Sequence, residues 1–278
     1  MAVIAELVDE LRTVGAELVD LGRVARLLSW DQETMMPRRG APWRARQRAT
    51  LQGLYHERLT RPRVGELLDA LEEPSGQGEL RPEDAALVRE LRREYDRATK
   101  VPTSFVREMA QATAEGVEVW RQAREASRFA DFAPALERIL ELKRRESEYV
   151  GYADHPYDAH LDKYEPDTTV SQLSPLFAEL RRATVDLLAR LQGAPRQADR
   201  SVLEREYDEG KQWAFGEDLL RAIGFDFTAG RIDRSTHPFS TSMGPGDARI
   251  TTRMASTDLA MAMFGTLHEG GHALYEQG

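Results

Sequence analysis

The spacing of apolar residues most narrows what this chain can fold into: through most of its length they recur every three or four positions. Between Val3 and Leu28, the residues Leu7, Leu11, Val14, Leu18, Leu21, Val24, Ala25 and Leu28 keep that step. They fall on one side of an α-helix with 3.6 residues per turn. The same stripe runs through residues 44–59, 64–73, 83–100, 104–127, 132–150, 171–192 and 201–223. Several helix starts are marked, by Pro82 ahead of Glu83 and Asp84, by Pro102-Thr103-Ser104, and by Ser171. The breaks at 36–42, 73–81, 152–156, 164–169 and 193–200 are short and rich in Gly, Pro, Ser or Asp. None is long enough to separate domains. No repeat of fixed period is found, which disfavours a solenoid.

The pattern changes after Gly224. Residues 225–253 contain Gly230, Gly244, Pro245 and Gly246, and Ala248, Ile250 and Thr252 alternate with Asp247, Arg249, Thr251 and Arg253. This predicts a small antiparallel β ribbon turning at Gly-Pro-Gly. Residues 256–277 return to the helical period with Leu259, Met263, Leu267 and Leu274 on one side, and Ser256 is the expected N-cap. The expected organisation is one mainly α domain: a helical scaffold over 1–223, the ribbon over 224–255 and a final helix over 256–278.

Composition removes whole classes of function. With 47 acidic against 38 basic residues the net charge is -9, which argues against nucleic acid as a partner. The cluster Arg38, Arg39, Arg44, Arg46 and Arg48 is interleaved with Ala and Gln and reads as a solvated helix face. No apolar run approaches the roughly 20 residues of a membrane span. Residues 1–12 carry Glu6, Asp9 and Glu10 where a secretory signal needs positive charge and an apolar block. There is no cysteine, so disulfides, thiol nucleophiles and sulfur-ligated zinc are excluded. A cytoplasmic setting is expected, and only His, Asp and Glu remain as metal ligands.

Those residues meet in one motif, His268-Glu269-Gly270-Gly271-His272, which matches H-E-x-x-H. Two histidines four apart lie one turn above each other on the same helix face, so both imidazoles can reach one zinc ion. Glu269 projects beside them, where its carboxylate can act as general base toward metal-bound water attacking a peptide carbonyl. With six histidines in 278 residues, a chance match has odds of about one in a hundred. Gly270 and Gly271 each cost roughly 1 kcal/mol inside a helix. They either end the helix or admit the close approach of a backbone or substrate beside the metal, and the helix-forming residues 273–276 favour the second reading. His155 and His160 are five apart, the wrong spacing for one helical face, and are assigned no metal.

The wider sequence resembles the M32 family of metallocarboxypeptidases, of the carboxypeptidase Taq type. The resemblance rests on five blocks in family order: Ser29-Trp30-Asp31-Gln32-Glu33-Thr34 with Met36-Pro37; Pro156-Tyr157-Asp158-Ala159 through Asp162-Lys163-Tyr164-Glu165-Pro166; His237-Pro238-Phe239-Ser240; Asp247-Ala248-Arg249-Ile250-Thr251; and H-E-x-x-H. It implies a multi-helix, zincin-like (gluzincin) cleft fold, a homodimer, and release of single C-terminal residues from peptides. It also implies Zn2+, Co2+ or another divalent metal.

Carried over residue by residue, the resemblance puts metal ligation on His268 and His272 and the general base on Glu269. Asp247, Arg249 and Thr251 would line the site and orient ligands or substrate, and His237 would face the cleft. On residue chemistry alone, Asp247 and Arg249 read as a cross-strand ion pair, and 30–33 reads as a helix end with an aromatic plug. Catalytic zinc normally takes three protein ligands and a water. The resemblance puts the third ligand, a Glu, on a helix downstream of the motif, whereas this chain ends at Gly278, six residues after His272. Glu276 shares the face of His272 but lies a turn beyond it. Two expectations follow: a peptidase portion carrying half a metal site, or a non-catalytic helical scaffold or dimerisation module derived from such a peptidase.

Overall fold

The first apolar stripe builds α1 (Ala2–Glu33), 32 residues and so roughly 48 Å long, in a computed structural model that describes residues 2–278. A 3₁₀ turn at Arg38–Gly40 leads into α2 (Ala41–Leu59), α3 (Pro62–Gly76), α4 (Pro82–Ala98), α5 (Thr103–Glu125) and α6 (Phe129–Val150). Prolines at the starts of α2, α3 and α4 supply a preset φ where the missing N–H is not needed. Val8, Leu11, Val14 and Leu18 of α1 pack with Val64, Leu67, Leu68 and Leu71 of α3 and with Val88 and Leu91 of α4. This is the first of two hydrophobic clusters among the described residues. Helix α2 lies along α5, and α5 along α6.

A four-residue α7 (Asp158–Leu161) falls in a stretch with no helical stripe of its own. Helix α8 (Val170–Gln192) starts at Thr169, whose side chain accepts from the Gln172 amide while the Gln172 side chain accepts from the Thr169 amide. This reciprocal cap displaces the start expected at Ser171.

Helix α9 (Glu209–Ala222) starts eight residues later than its stripe predicts. The carboxylate of Asp208 caps it, accepting from the Lys211 amide at 2.9 Å. Residues 203–207 are held outside the helix by long-range backbone bonds within the chain, with Tyr207 N donating to Ser256 O at 2.7 Å and Leu259 N to Leu203 O at 3.0 Å. The same bonds hold Ser256 in the approach to α10 (Leu259–Gln277). The cap of α10 is Asp258, which accepts from the Met261 amide, and not the expected Ser256.

Between these helices lies a three-stranded sheet of β1 (Gly230–Arg234), β2 (Ser240–Ser242) and β3 (Ala248–Thr252) in the order β1-β3-β2. The β2–β3 pair is the expected antiparallel ribbon, with Ser240 opposite Ile250. Its turn places Gly244 and Gly246 at φ of 140° and 83°, which only glycine adopts without strain. The other pair departs from expectation: β1 runs parallel to β3, because the segment after β1 crosses over to form the far edge. Ala248 and Ile250 face Leu220 of α9, Phe225 and Ala273 of α10, forming the second cluster. Among the described residues no helix is long and apolar enough to cross a membrane.

Candidate metal centre

Helix α10 runs unbroken through the motif, so His268 and His272 stand one turn apart. Their ring centroids are 4.9 Å apart with the planes at 83°. Both are exposed, whereas Glu269 is only 7% exposed. Glu269 and His272 line a cavity of about 300 Å³ with Phe239, Ser240, Thr241, Tyr275 and Glu276. One wall is therefore the metal-motif face of α10 and the other is β2, the edge strand of the sheet. No hydrogen bond or ion pair within the described residues engages the two imidazoles or the Glu269 carboxylate.

That donor chemistry fits a divalent ion in part. Two imidazoles on one helix face are a natural pair of ligands. Among the described residues no cluster of three His, Asp or Glu side chains is placed to hold a metal, so Glu276 does not complete the site. The glycines separate in role. A Cβ on Gly270 would meet Leu220 at 2.6 Å and Ile223 at 3.1 Å, so this glycine lets α9 and α10 pack closely; Gly271 faces open space.

The remaining candidates sit around the sheet. Thr251 is fully buried. Its hydroxyl accepts from Ser235 Oγ at 2.7 Å and from the Phe239 amide at 2.9 Å, which fastens residues 235–239. That segment carries His237, exposed, and lays Pro238 3.8 Å from where a Cβ of Gly265 on α10 would sit. Thr266 donates to Thr252 at 3.0 Å in a buried bond that ties α10 to β3. Asp247, just before β3, and Arg249 within it form a two-point pair, with both contacts at 2.8 Å, rather than a cross-strand pair. Hydrogen bonding to Arg249 holds the Asp247 carboxyl below its ordinary range, with the Arg249 and Arg231 charges adding to the effect and partial burial opposing it.

Strand alternation turns Arg249 away from the face of β3 that carries Ala248 and Ile250. On the far face its guanidinium lies 4.4 Å from the ring centre of Trp30 in α1, and that of Arg231 lies 5.1 Å from the same ring. Trp30 is buried, and its indole N–H has no partner within the described residues. The candidates thus divide: Glu269 and His272 line the cavity with His268 one turn from His272, while Asp247, Arg249 and Thr251 brace the strands that form its other wall. The Trp30 platform is missed by sequence reasoning, because a ring 219 positions from its arginine leaves no local signal. His160 bonds Ser147 Oγ at 2.9 Å and Lys143 O at 3.0 Å, which gives it a structural occupation far from α10.

A family model described as carboxypeptidase Taq (M32) metallopeptidase matches residues 10–278. Thermostable carboxypeptidase 1 of Thermus thermophilus is 43% identical over 280 residues, covering 97% of this chain and 54% of that protein. A crystal structure described as BsuCP superposes with a TM-score of 0.92 at 33% identity, covering 100% of this chain and 55% of the other. An M32 carboxypeptidase from Deinococcus radiodurans R1 gives a TM-score of 0.80 at 39% identity, over 98% of this chain and 54% of the other. The chain spans about half the length of the curated relatives it matches.

Proposed function

Because the chain belongs to the M32 family of metallocarboxypeptidases, we propose that it carries part of the catalytic centre of a peptide hydrolase that releases C-terminal amino acids. The observation that carries this reading is the placement of Glu269 and His272 on a cavity walled by a free strand edge, with the His268 ring 4.9 Å from that of His272. His268 and His272 are the residues that would hold a zinc ion or another divalent metal. When bound, that metal supplies Lewis acidity, polarising the scissile carbonyl and lowering the pKa of water. Glu269 accepts the proton of the attacking water at its carboxylate and returns it to the departing amine nitrogen. Its burial keeps competing water away from that oxygen.

The outer edge of β2 is unpaired within the sheet and lines the same cavity. It is suited to bind an extended peptide by main-chain hydrogen bonds. Thr251, by fixing 235–239, and Arg249, braced by Asp247 and Trp30, keep that edge and His237 in place rather than react. Polypeptide of the kind that fills out the relatives' length supplies the third ligand. The same reading extends to a cytoplasmic homodimer. The scaffold alternative draws on the two-ligand donor set.

Zinc titration of the purified chain tests the reading. The expected result is one weakly bound zinc, with affinity at least about 10-fold lower in His268→Ala and His272→Ala, since losing even an outer-shell partner of a metal ligand costs that much. The chain alone is expected to release C-terminal residues from free peptides no faster than Glu269→Gln. Absence of histidine-dependent zinc binding sinks the metal assignment. Zinc-dependent release that vanishes in Glu269→Gln overturns the half-site reading.

A further inference from the structure

Between α2, α4, α5 and α6 lies a second cavity of about 610 Å³, which shares no lining residue with the cavity beside α10. That volume is in the range of small-molecule sites. Along α2 the cavity is faced by Arg48, Gln52 and Tyr55, whose steps of four and three put them on one side of the helix. Val106 and Met109 of α5 give it an apolar lining. Arg48 belongs to the arginine run that reads in the sequence as a solvated face, yet it is half-buried. Burial pushes its guanidinium below the ordinary value, the Glu33 charge opposes this and the Arg44 charge adds to it. Its contact at 3.1 Å is with the neutral Gln32 Oε1. The nearby carboxylates Asp31 and Glu33 are taken by Arg44 and Arg121, and no carboxylate pairs with Arg48 among the described residues. A partly desolvated cation without a counter-charge is costly, and a bound carboxylate removes that cost.

The other end of the same helix face carries the opposite charge. Tyr55 donates to Glu94 of α4 at 3.1 Å, and Glu94 also lines the cavity. Burial, the Glu94 charge and this hydrogen bond push the Tyr55 phenol above its ordinary range, so it remains a donor. No cation pairs with Glu94 among the described residues. Between the two charges stands Gln52, whose carboxamide can both donate and accept. From Arg48 to Tyr55 the helix rises roughly 10 Å, the length of about three extended residues. We propose that this cavity binds a short peptide with free termini, its carboxylate on Arg48, a backbone amide on Gln52 and its ammonium on Glu94. Val106 and Met109 select an apolar side chain at its middle. The order of the charges fixes the direction of the bound chain, and Glu94 disfavours ligands that are anionic at both ends. The inference rests on this cavity alone and goes beyond the metal-centred reading.

Calorimetric titration of the metal-stripped chain with the tripeptide Ala-Leu-Ala tests it. One peptide should bind per chain, equally well in His272→Ala, which alters the other cavity. Amidating the carboxyl terminus of the peptide should weaken binding about 10-fold or more, the scale of a hydrogen bond to a charged group. Acetylating its amino terminus should cost about 2- to 5-fold, because Glu94 is exposed and exposed ion pairs are weak. In Arg48→Met the free and amidated peptides should bind alike, and Arg48→Lys, which restores the charge, should recover part of the preference. Failure of the free tripeptide to bind at millimolar concentration overturns the proposal. So does binding that tolerates amidation in the parent chain, a comparison that needs no variant to fold. Binding that keeps its carboxylate preference in Arg48→Met, or that vanishes in His272→Ala, also overturns it, the last by assigning the peptide to the cavity beside α10.

Discussion

Two adjacent glycines in α10 carry opposite physical burdens, although they look equivalent in sequence. A methyl group at Gly270 would sit 2.6 Å from Leu220 Cδ2, and Leu220 is fully buried, so the side chain has nowhere to retreat. Gly270→Ala should therefore destabilise the fold by about 1–3 kcal/mol, the cost of forcing an extra carbon into a packed core. Gly271 has no neighbour within 4 Å and an ordinary helical backbone. Gly271→Ala should stabilise by about 0.4–1 kcal/mol through the lost freedom of the unfolded chain. Urea unfolding of the two variants measures both, and equal effects of the same sign would refute the distinction. Sequence reasoning favours close approach over helix termination at this pair. The approach is made by side chains of α9, at one glycine of the two, and that assignment required the neighbouring helix.

At the scale of elements, the wall opposite α10 depends on an ion pair whose strength follows pH. Pairing with Arg249 depresses the Asp247 carboxyl in the folded chain. Its stabilisation is therefore fully present above the ordinary carboxylate range and is lost as pH falls through the depressed value. Asp247→Asn should unfold at a lower temperature than the parent at neutral pH, and the gap should close on acidification. Because the Asp247 side chain is 42% exposed, the gap should also shrink in high salt. A gap that persists at low pH would show that shape, not charge, is what the aspartate contributes. The elements themselves were largely legible, because the three-to-four step survives in every long helix. The parallel β1 was not, since Arg231, Asp233 and Arg234 give a short polar strand no side preference. The starts of α9 and α10 were misplaced for one shared reason: the bonds joining 203–207 to 256–259 are tertiary and outweigh local capping preference. The stripe of α8 announced a helix with an apolar face but not that the face is uncovered.

Across the whole molecule, α1 is the member common to both halves. Its first part is built into the cluster with α3 and α4, and Trp30, nineteen residues past Leu11 and so roughly 28 Å along the axis, packs against the arginines of β1 and β3. A continuous helix anchored at both ends transmits the unfolding of either cluster to the other. Leu68→Ala removes a fully buried side chain from the first cluster and should cost about 2–5 kcal/mol. Trp30→Ala opens a larger gap at the far end and should cost about 3–5 kcal/mol. The sites are far apart and share no partner, so their costs should add to within about 0.5 kcal/mol. Calorimetry of the double variant should show one transition, lowered by the sum. Two separated transitions would mean that α1 breaks between its anchors. The metal-motif helix would then owe its position to the second cluster alone, and Leu68→Ala would leave zinc binding at His268 and His272 untouched even at temperatures where the first cluster has melted.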